Sequence, residues 1–165
     1  MEDKMERVSK TNYYLDIAQT VSERCTCLRK HYGAIIVKDD VIVATGYNGA
    51  PRGRKNCNET GFCMREKLNI PRGERYELCR SVHAEANAII AASRDRMLGA
   101  TIYMACTDPD GALVSGTNSC MMCKRMIINA GIETVIVRDT KDTYRIIPVR
   151  DWIENDDSLS GQMGY

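Results

Sequence analysis

The chain has 165 residues, with 23 Lys and Arg against 22 Asp and Glu, for a formal net charge of +1. Apolar residues make up 44% and charged residues 27%, a balance that excludes a mostly disordered chain and suits one globular domain. Near-neutral charge disfavours a protein that works by coating a large nucleic acid. No apolar run reaches the roughly 18 residues that span a bilayer. Met1-Glu2-Asp3-Lys4 lacks the basic-then-apolar order of a signal peptide, so a cytoplasmic protein without a membrane partner is expected.

Asn12 to Arg24 carries apolar residues at Tyr14, Leu15, Ile17, Ala18 and Val21, the spacing of an amphipathic helix. Ala34 to Val37 and Val41 to Thr45 are β-branched runs around Lys38-Asp39-Asp40, which predicts a hairpin. Glycine and proline then punctuate a loop from Gly46 to Gly53. Residues 54–80 have weak periodicity. Helix is expected over Ala84 to Ser93, strand over Thr101 to Cys106, and a turn-rich excursion over Thr107 to Thr117. Cys120 to Ala130 reads as a helix stopped by Gly131. Glu133 to Arg138 and Tyr144 to Val149 read as strands. The expected fold is a layered α/β domain over residues 1–153, with an acidic, flexible tail over 154–165.

Eight cysteines in a chain expected to lie in a reducing compartment point to metal binding or redox chemistry. His31 and His83 are the only histidines, so a metal site must be rich in thiolate. His83-Ala84-Glu85 lies 37 residues before Cys120-Met121-Met122-Cys123, and both motifs fall where a helix should begin. Cysteines three apart share one helix face, and a helix start favours thiolate. His83, Cys120 and Cys123 supply three ligands, and a fourth position left for water is the mark of a catalytic zinc. Glu85 is then the carboxylate that moves protons, the arrangement of zinc deaminases. Alone, the Cys-x-x-Cys pair also fits a redox motif, a zinc knuckle or two inert core thiols. None of these needs Glu85.

Four stretches resemble the deoxycytidylate (dCMP) deaminase family of the cytidine deaminase superfamily. They are Gly33-Ala34-Ile35-Ile36-Val37, Gly46-Tyr47-Asn48-Gly49-Ala50-Pro51, His83-Ala84-Glu85-Ala86-Asn87-Ala88-Ile89, and Cys120-Met121-Met122-Cys123 running into Ile127-Ile128-Asn129-Ala130-Gly131-Ile132. The resemblance implies a three-layer α/β/α domain with a central mixed sheet of about five strands. It implies hydrolysis of dCMP to dUMP and ammonia, with zinc on His83, Cys120 and Cys123 and Glu85 as proton shuttle. It also implies a homohexamer regulated by dCTP and dTTP, with Mg2+ accompanying the effector. By the same resemblance Tyr47, Asn48, Gly49 and Arg94 contact substrate or effector. Asn48 also fits a plain turn residue, and Arg94 a solvated helix face. The family usually has proline before the first zinc cysteine. This chain has Ser119, which is expected to cap the helix with its hydroxyl.

The resemblance further suggests a second, structural zinc. Cys27 and Cys57 match two of its positions, and Cys63 and Cys79 in the 54–80 insertion would complete a four-thiolate cage. The other reading is four free thiols. Cys25 and Cys106 are left as core or surface thiols. Residues 51–80 hold eight basic against four acidic side chains, a patch suited to a nucleotide phosphate. Two other functional readings compete. One is a zinc deaminase acting on a nucleoside, a nucleobase or tRNA, which the neutral charge and the Tyr47-Asn48 loop disfavour. The other is a non-enzymatic zinc module, which Glu85 disfavours.

Overall fold

In the computed structural model, which describes residues 6–161, Ser9 starts the first helix. Its hydroxyl accepts the Asn12 N–H at 3.2 Å, satisfying a donor that an opening turn leaves free. Helix α1 (Lys10–Ser22) therefore begins slightly before the apolar pattern does. Strands β1 (His31–Lys38) and β2 (Val41–Tyr47) form the expected hairpin. Asp39 and Asp40 make its turn with φ of 50° and 61°, the left-handed pair that matches strand twist. Lys10 bonds Asp40 at 3.1 Å and the Tyr14 hydroxyl also donates to it, tying the turn to α1.

The insertion forms only short pieces: α2 (Cys57–Thr60), α3 (Met64–Lys67) and a 3-10 turn over Tyr76–Leu78. Helix α4 (Ala84–Ile90) is shorter than its sequence pattern, because Ser93 begins a separate turn of helix, α5 (Arg94–Met97). Strand β3 (Thr101–Thr107), helix α6 (Met121–Ala130), strands β4 (Thr134–Arg138) and β5 (Tyr144–Pro148), and helix α7 (Val149–Glu154) complete the order. Gly131 stops α6 with a φ of 80°, as its sequence position predicts. Beyond α7 a 3-10 turn over Asp157–Leu159 meets Lys124 through Asp157 at 3.5 Å. The last residues of the expected tail, 162–165, lie outside the described residues.

The five strands run in the order β2-β1-β3-β4-β5. Only β3 and β4 are parallel, and α6 makes the crossover between them. This is the expected mixed sheet between two helical layers. Tyr14, Leu15 and Ala18 of α1 pack on Ile35, Val37, Tyr103, Ala105 and Ile136 on one face. Ala84 and Ala88 of α4 and Ile127 of α6 pack on Ala34, Ile36, Ile102, Met104, Val135 and Val137 on the other.

Two glycines let the helices approach. A Cβ at Gly33 would overlap the backbone carbonyl of Ala18 in α1, and one at Gly46 would overlap the backbone of Ala84 and Ala88 in α4. Helix α1 is also clasped from across the sheet. Arg138 is 1% exposed, yet its guanidinium donates to Asp16 at 2.7 Å, Gln19 at 3.0 Å and the Asn12 carbonyl at 3.3 Å. Replacing it by alanine removes a long buried side chain together with these bonds. Arg138→Ala is expected to lower unfolding stability by about 3 kcal/mol. Urea denaturation measures this, and a loss under about 1 kcal/mol would contradict the clasp.

Candidate active site

His83 and Cys120 occupy equivalent places. Each is the N-cap of its helix, α4 and α6, with extended backbone, and neither side chain caps its own helix. Both are free to turn towards each other. His83 Nδ1 lies 3.4 Å from the Cys120 sulfur and 3.3 Å from the Cys123 sulfur. Cys123, one turn into α6, lies on the face that the N-cap side chain shares. Among the described residues this is the group of three metal-binding side chains whose ligand atoms all fall within 4.8 Å of one another. Tetrahedral zinc with ordinary Zn–N and Zn–S bonds puts nitrogen and sulfur ligands about 3.6 Å apart. The donor set and its spacing therefore fit zinc.

Charge in the group is shared. Hydrogen bonding from Cys123, then from His83, holds Cys120 down at about 4 despite burial. The thiolate formed there pushes the Cys123 thiol upwards, with burial acting in the same direction. Burial alone would depress His83, but its bonds to Cys120 and Cys79 and the charge of Glu85 push it up to about 10.

Glu85 lies in the first turn of α4 and is 4% exposed. Burial raises its carboxyl, while the His83 charge, its own backbone N–H and the Ser119 hydroxyl oppose the shift. The Cys123 thiol also bonds it. A carboxylate beside a metal-binding group, with its acidity weakened by burial, can take and return protons.

His83, Glu85 and Cys120 line a cavity together with Arg29, Lys30, Asn48, Arg65, Arg72 and Tyr76. Tyr76 meets the His83 ring edge-on, with centroids 5.4 Å apart. The Arg65 guanidinium covers the Tyr76 ring at 4.3 Å and donates to the carbonyls of Pro71 at 2.7 Å and Glu74 at 2.8 Å. Arg65 and Arg72 come from the basic stretch marked in the sequence. Charge density gave that signal, but nothing local singled out these two. Tyr76 carried no sequence signal.

The other expected site residues divide. Asn48 lines the cavity, but its side chain is mostly committed. Its Oδ1 accepts the Tyr32 N–H at 2.7 Å and the Cys25 thiol at 2.8 Å, and Nδ2 donates to the Lys30 carbonyl at 3.0 Å. One amide hydrogen is left for a ligand. Tyr47 and Gly49 do not line the cavity. Their backbones instead hold the α4 approach: Asn87 donates to the Tyr47 carbonyl at 2.8 Å, and Gly49 and Val82 exchange backbone bonds at 3.2 and 2.7 Å. Arg94 is also outside the cavity lining and donates to the Asn129 carbonyl at the end of α6 at 3.1 Å.

Burial raises the Cys57 thiol, and Cys27, Cys79 and Cys63 lie near enough for their charges to raise it further. Cys27, Cys57, Cys63 and Cys79 form no group of three within ligand distance among the described residues. Cys27, Cys63 and Cys79 line the cavity, Cys79 bonding His83, while Cys57 is buried at the start of α2. Arg65 contributes to the shape of the insertion through its bonds to Pro71 and Glu74. Cys25 and Cys106 are core thiols, pushed up by burial to about 12 and about 11. Ser119 does not cap α6 either. It precedes the cap residue, is fully buried, and points its hydroxyl inward.

Among the described residues no helix is long and apolar enough to cross a membrane. The profile of the cytidine and deoxycytidylate deaminase zinc-binding region matches residues 8–139. A deoxycytidylate deaminase of Mycobacterium phage D29 is 34% identical over 137 residues, covering 80% of this chain and 96% of the phage protein. A deoxycytidylate deaminase of Schizosaccharomyces pombe is 33% identical over 130 residues, covering 79% of this chain but 37% of the yeast protein. The solved dCMP deaminase of cyanophage S-TIM5, in complex with dCMP and dUMP, superposes with a TM-score of 0.54 at 25% identity, covering 93% of this chain and 95% of that one. A profile match over residues 8–139 and relatives at 33 to 34% identity across about four fifths of the chain converge: the chain belongs to the cytidine and deoxycytidylate deaminase zinc-binding family.

Proposed function

We propose that the protein hydrolyses dCMP to dUMP and ammonia, using zinc held by His83, Cys120 and Cys123 and Glu85 as proton shuttle. The observation that carries this reading is the buried Glu85 carboxylate against the His83, Cys120 and Cys123 group, beside a cavity with cationic walls. Zinc, when bound, supplies a water activated for attack near neutral pH. Everything else falls to the chain. The cytosine ring enters with C4 towards Glu85 and the metal-binding group. Glu85 takes a proton from the attacking water and gives it to ring N3, then takes the second proton from the hydroxyl formed at C4 and delivers it to the amino group, which leaves as ammonia. The sugar lies beside Asn48, whose remaining amide hydrogen faces it. Arg29, Lys30, Arg65 and Arg72 offer their positive charge to the 5'-phosphate, for which guanidinium forks are well shaped. Tyr76 and the insertion close the cavity over His83 and limit water entry.

Ammonia release from dCMP by the zinc-loaded protein tests the substrate. Absence of turnover with zinc retained would overturn the reading. Glu85→Gln keeps the shape of the side chain but cannot accept a proton. It is expected to retain zinc and to lower kcat by about a thousandfold or more.

Metal loading has a predicted proton count. At pH 7 His83, held near 10, and Cys123, raised by its neighbour, carry protons, whereas Cys120, held near 4, does not. Zinc must displace the first two, so binding is expected to release about two protons per ion. Acidification therefore weakens zinc binding, because protons compete for the same atoms. Calorimetric zinc titration in buffers of different ionisation enthalpy reads this number. Release of no protons would contradict the assigned ligand states.

A further inference from the structure

We infer that Glu66 is a positioning residue for Arg29: it grips one side of the guanidinium and aims the terminal fork at the phosphate of the ligand. This deepens the dCMP reading and rests on it for the molecule that carries the phosphate. Arg29 Nε lies 3.0 Å from Glu66 Oε1. It is the one ion pair that Arg29 makes among the described residues. Arg29 lines the cavity and Glu66 does not, so the carboxylate holds the arginine from outside. The contact uses Nε and leaves the terminal pair of nitrogens, whose spacing matches two phosphate oxygens. Arg65 lines the same cavity but spends Nη2 on the carbonyls of Pro71 and Glu74.

The main chain around Arg29 is pinned. Its N–H donates to the Cys27 sulfur at 3.4 Å, and His31 Nε2 bonds the Cys27 carbonyl at 2.7 Å. The next carbonyl, of Lys30, accepts from Asn48 Nδ2 at 3.0 Å. The fork thus starts one residue from the Asn48 clamp, where the sugar of the ligand gives way to its phosphate. The freedom that remains lies in the side-chain torsions. A long side chain loses that freedom on binding, and ordering it beforehand removes the cost from binding. Glu66 is placed to do so. It sits on α3 beside Arg65, which is 6% exposed and fastens that helix to the 71–74 loop. Arg65 fixes α3, α3 presents Glu66, and Glu66 aims Arg29. The Arg29 and Glu66 side chains are 42% and 60% exposed, and a pair this wet adds little to the stability of the fold. Its loss is therefore read in ligand binding.

The test compares E66A with E66Q in the zinc-loaded protein. Glutamine keeps an oxygen that can accept from Nε, and alanine keeps none. The KM for dCMP should rise about fivefold in E66A and stay within about twofold of wild type in E66Q, the scale of one partly exposed charged contact. In an R29A background, where no fork is left to aim, adding E66A should raise KM no further. An equal further rise there overturns the proposal, because Glu66 would then act without Arg29. A loss in E66A confined to kcat overturns it too. So does a lower KM in both E66A and E66Q, which would make Glu66 a competitor of the phosphate. A second readout needs no turnover. Inorganic phosphate, titrated into the zinc-loaded protein and followed by phosphorus NMR line width, should bind about fivefold more weakly to E66A than to wild type or E66Q. Equal phosphate affinity in E66A and wild type overturns the proposal. Failure of the wild type to deaminate dCMP, with the phosphate pattern present, refutes the substrate and supports the aimed arginine.

Discussion

Helix α4 lies so close to β2 that no side chain fits between them at Gly46. That contact fixes how deep His83 and Glu85 sit, because both belong to the first turn of α4. The opposing half of the site is fixed by topology. Strands β3 and β4 are parallel, so the chain must cross over, and α6 makes that crossing with Cys120 at its start. Two helix starts then face each other. Their cap residues, His83 and Cys120, make no cap bonds of their own and meet at 3.4 Å, with Cys123 3.3 Å from the same His83 nitrogen. A larger residue at 46 would move one half of this arrangement relative to the other, whereas the Gly33 contact with α1 acts on the opposite face of the sheet. The Tyr47-Asn48-Gly49 stretch serves the same contact. Its backbone holds Asn87 and Val82, and the Asn48 side chain ties β2 to the segment entering β1.

The insertion follows a different physical rule. With little apolar periodicity it cannot fold around a hydrophobic face, and its pieces are only a turn or so long. Arg65 provides the centre instead. It is almost fully buried, saturates two loop carbonyls through one nitrogen, and lies flat on Tyr76. An arginine can do this because its plane is both a donor array and a stacking surface. Tyr76 then abuts His83, so the outer wall of the cavity and the inner group share one contact chain. Cys63 and Cys79 add thiols to the cavity wall, and with Cys27 they lie close to Cys57.

What the sequence made legible was whatever is local. Apolar spacing revealed α1, the hairpin and α6, since each buries one face against the sheet. His-x-Glu and Cys-x-x-Cys revealed the centre, since their geometry needs only a helix start. The roles of Asn48, Arg65, Arg138 and Ser119 were not legible, because each depends on partners brought in by the fold. Asn48 reads as a ligand contact in sequence but is largely a clamp. Arg138 reads as the end of a strand but holds α1, more than a hundred residues earlier in the chain.

Ser119 shows how a local expectation can point to the right residue for the wrong reason. Serine before a helix suggests a cap, since an exposed helix start has free N–H groups. Here the cap position belongs to Cys120, whose sulfur must remain available to its partners. A hydroxyl one residue earlier cannot reach the same donors and turns to the interior. There it donates to the Met104 thioether at 3.6 Å, near Glu85, a carboxylate that burial drives towards its neutral form. Its own N–H and the His83 charge counter that drive from the α4 side. The state of the carboxylate thus rests on its own helix start, and its depth depends on the same approach of α4 to the sheet that brings His83 to the cysteines.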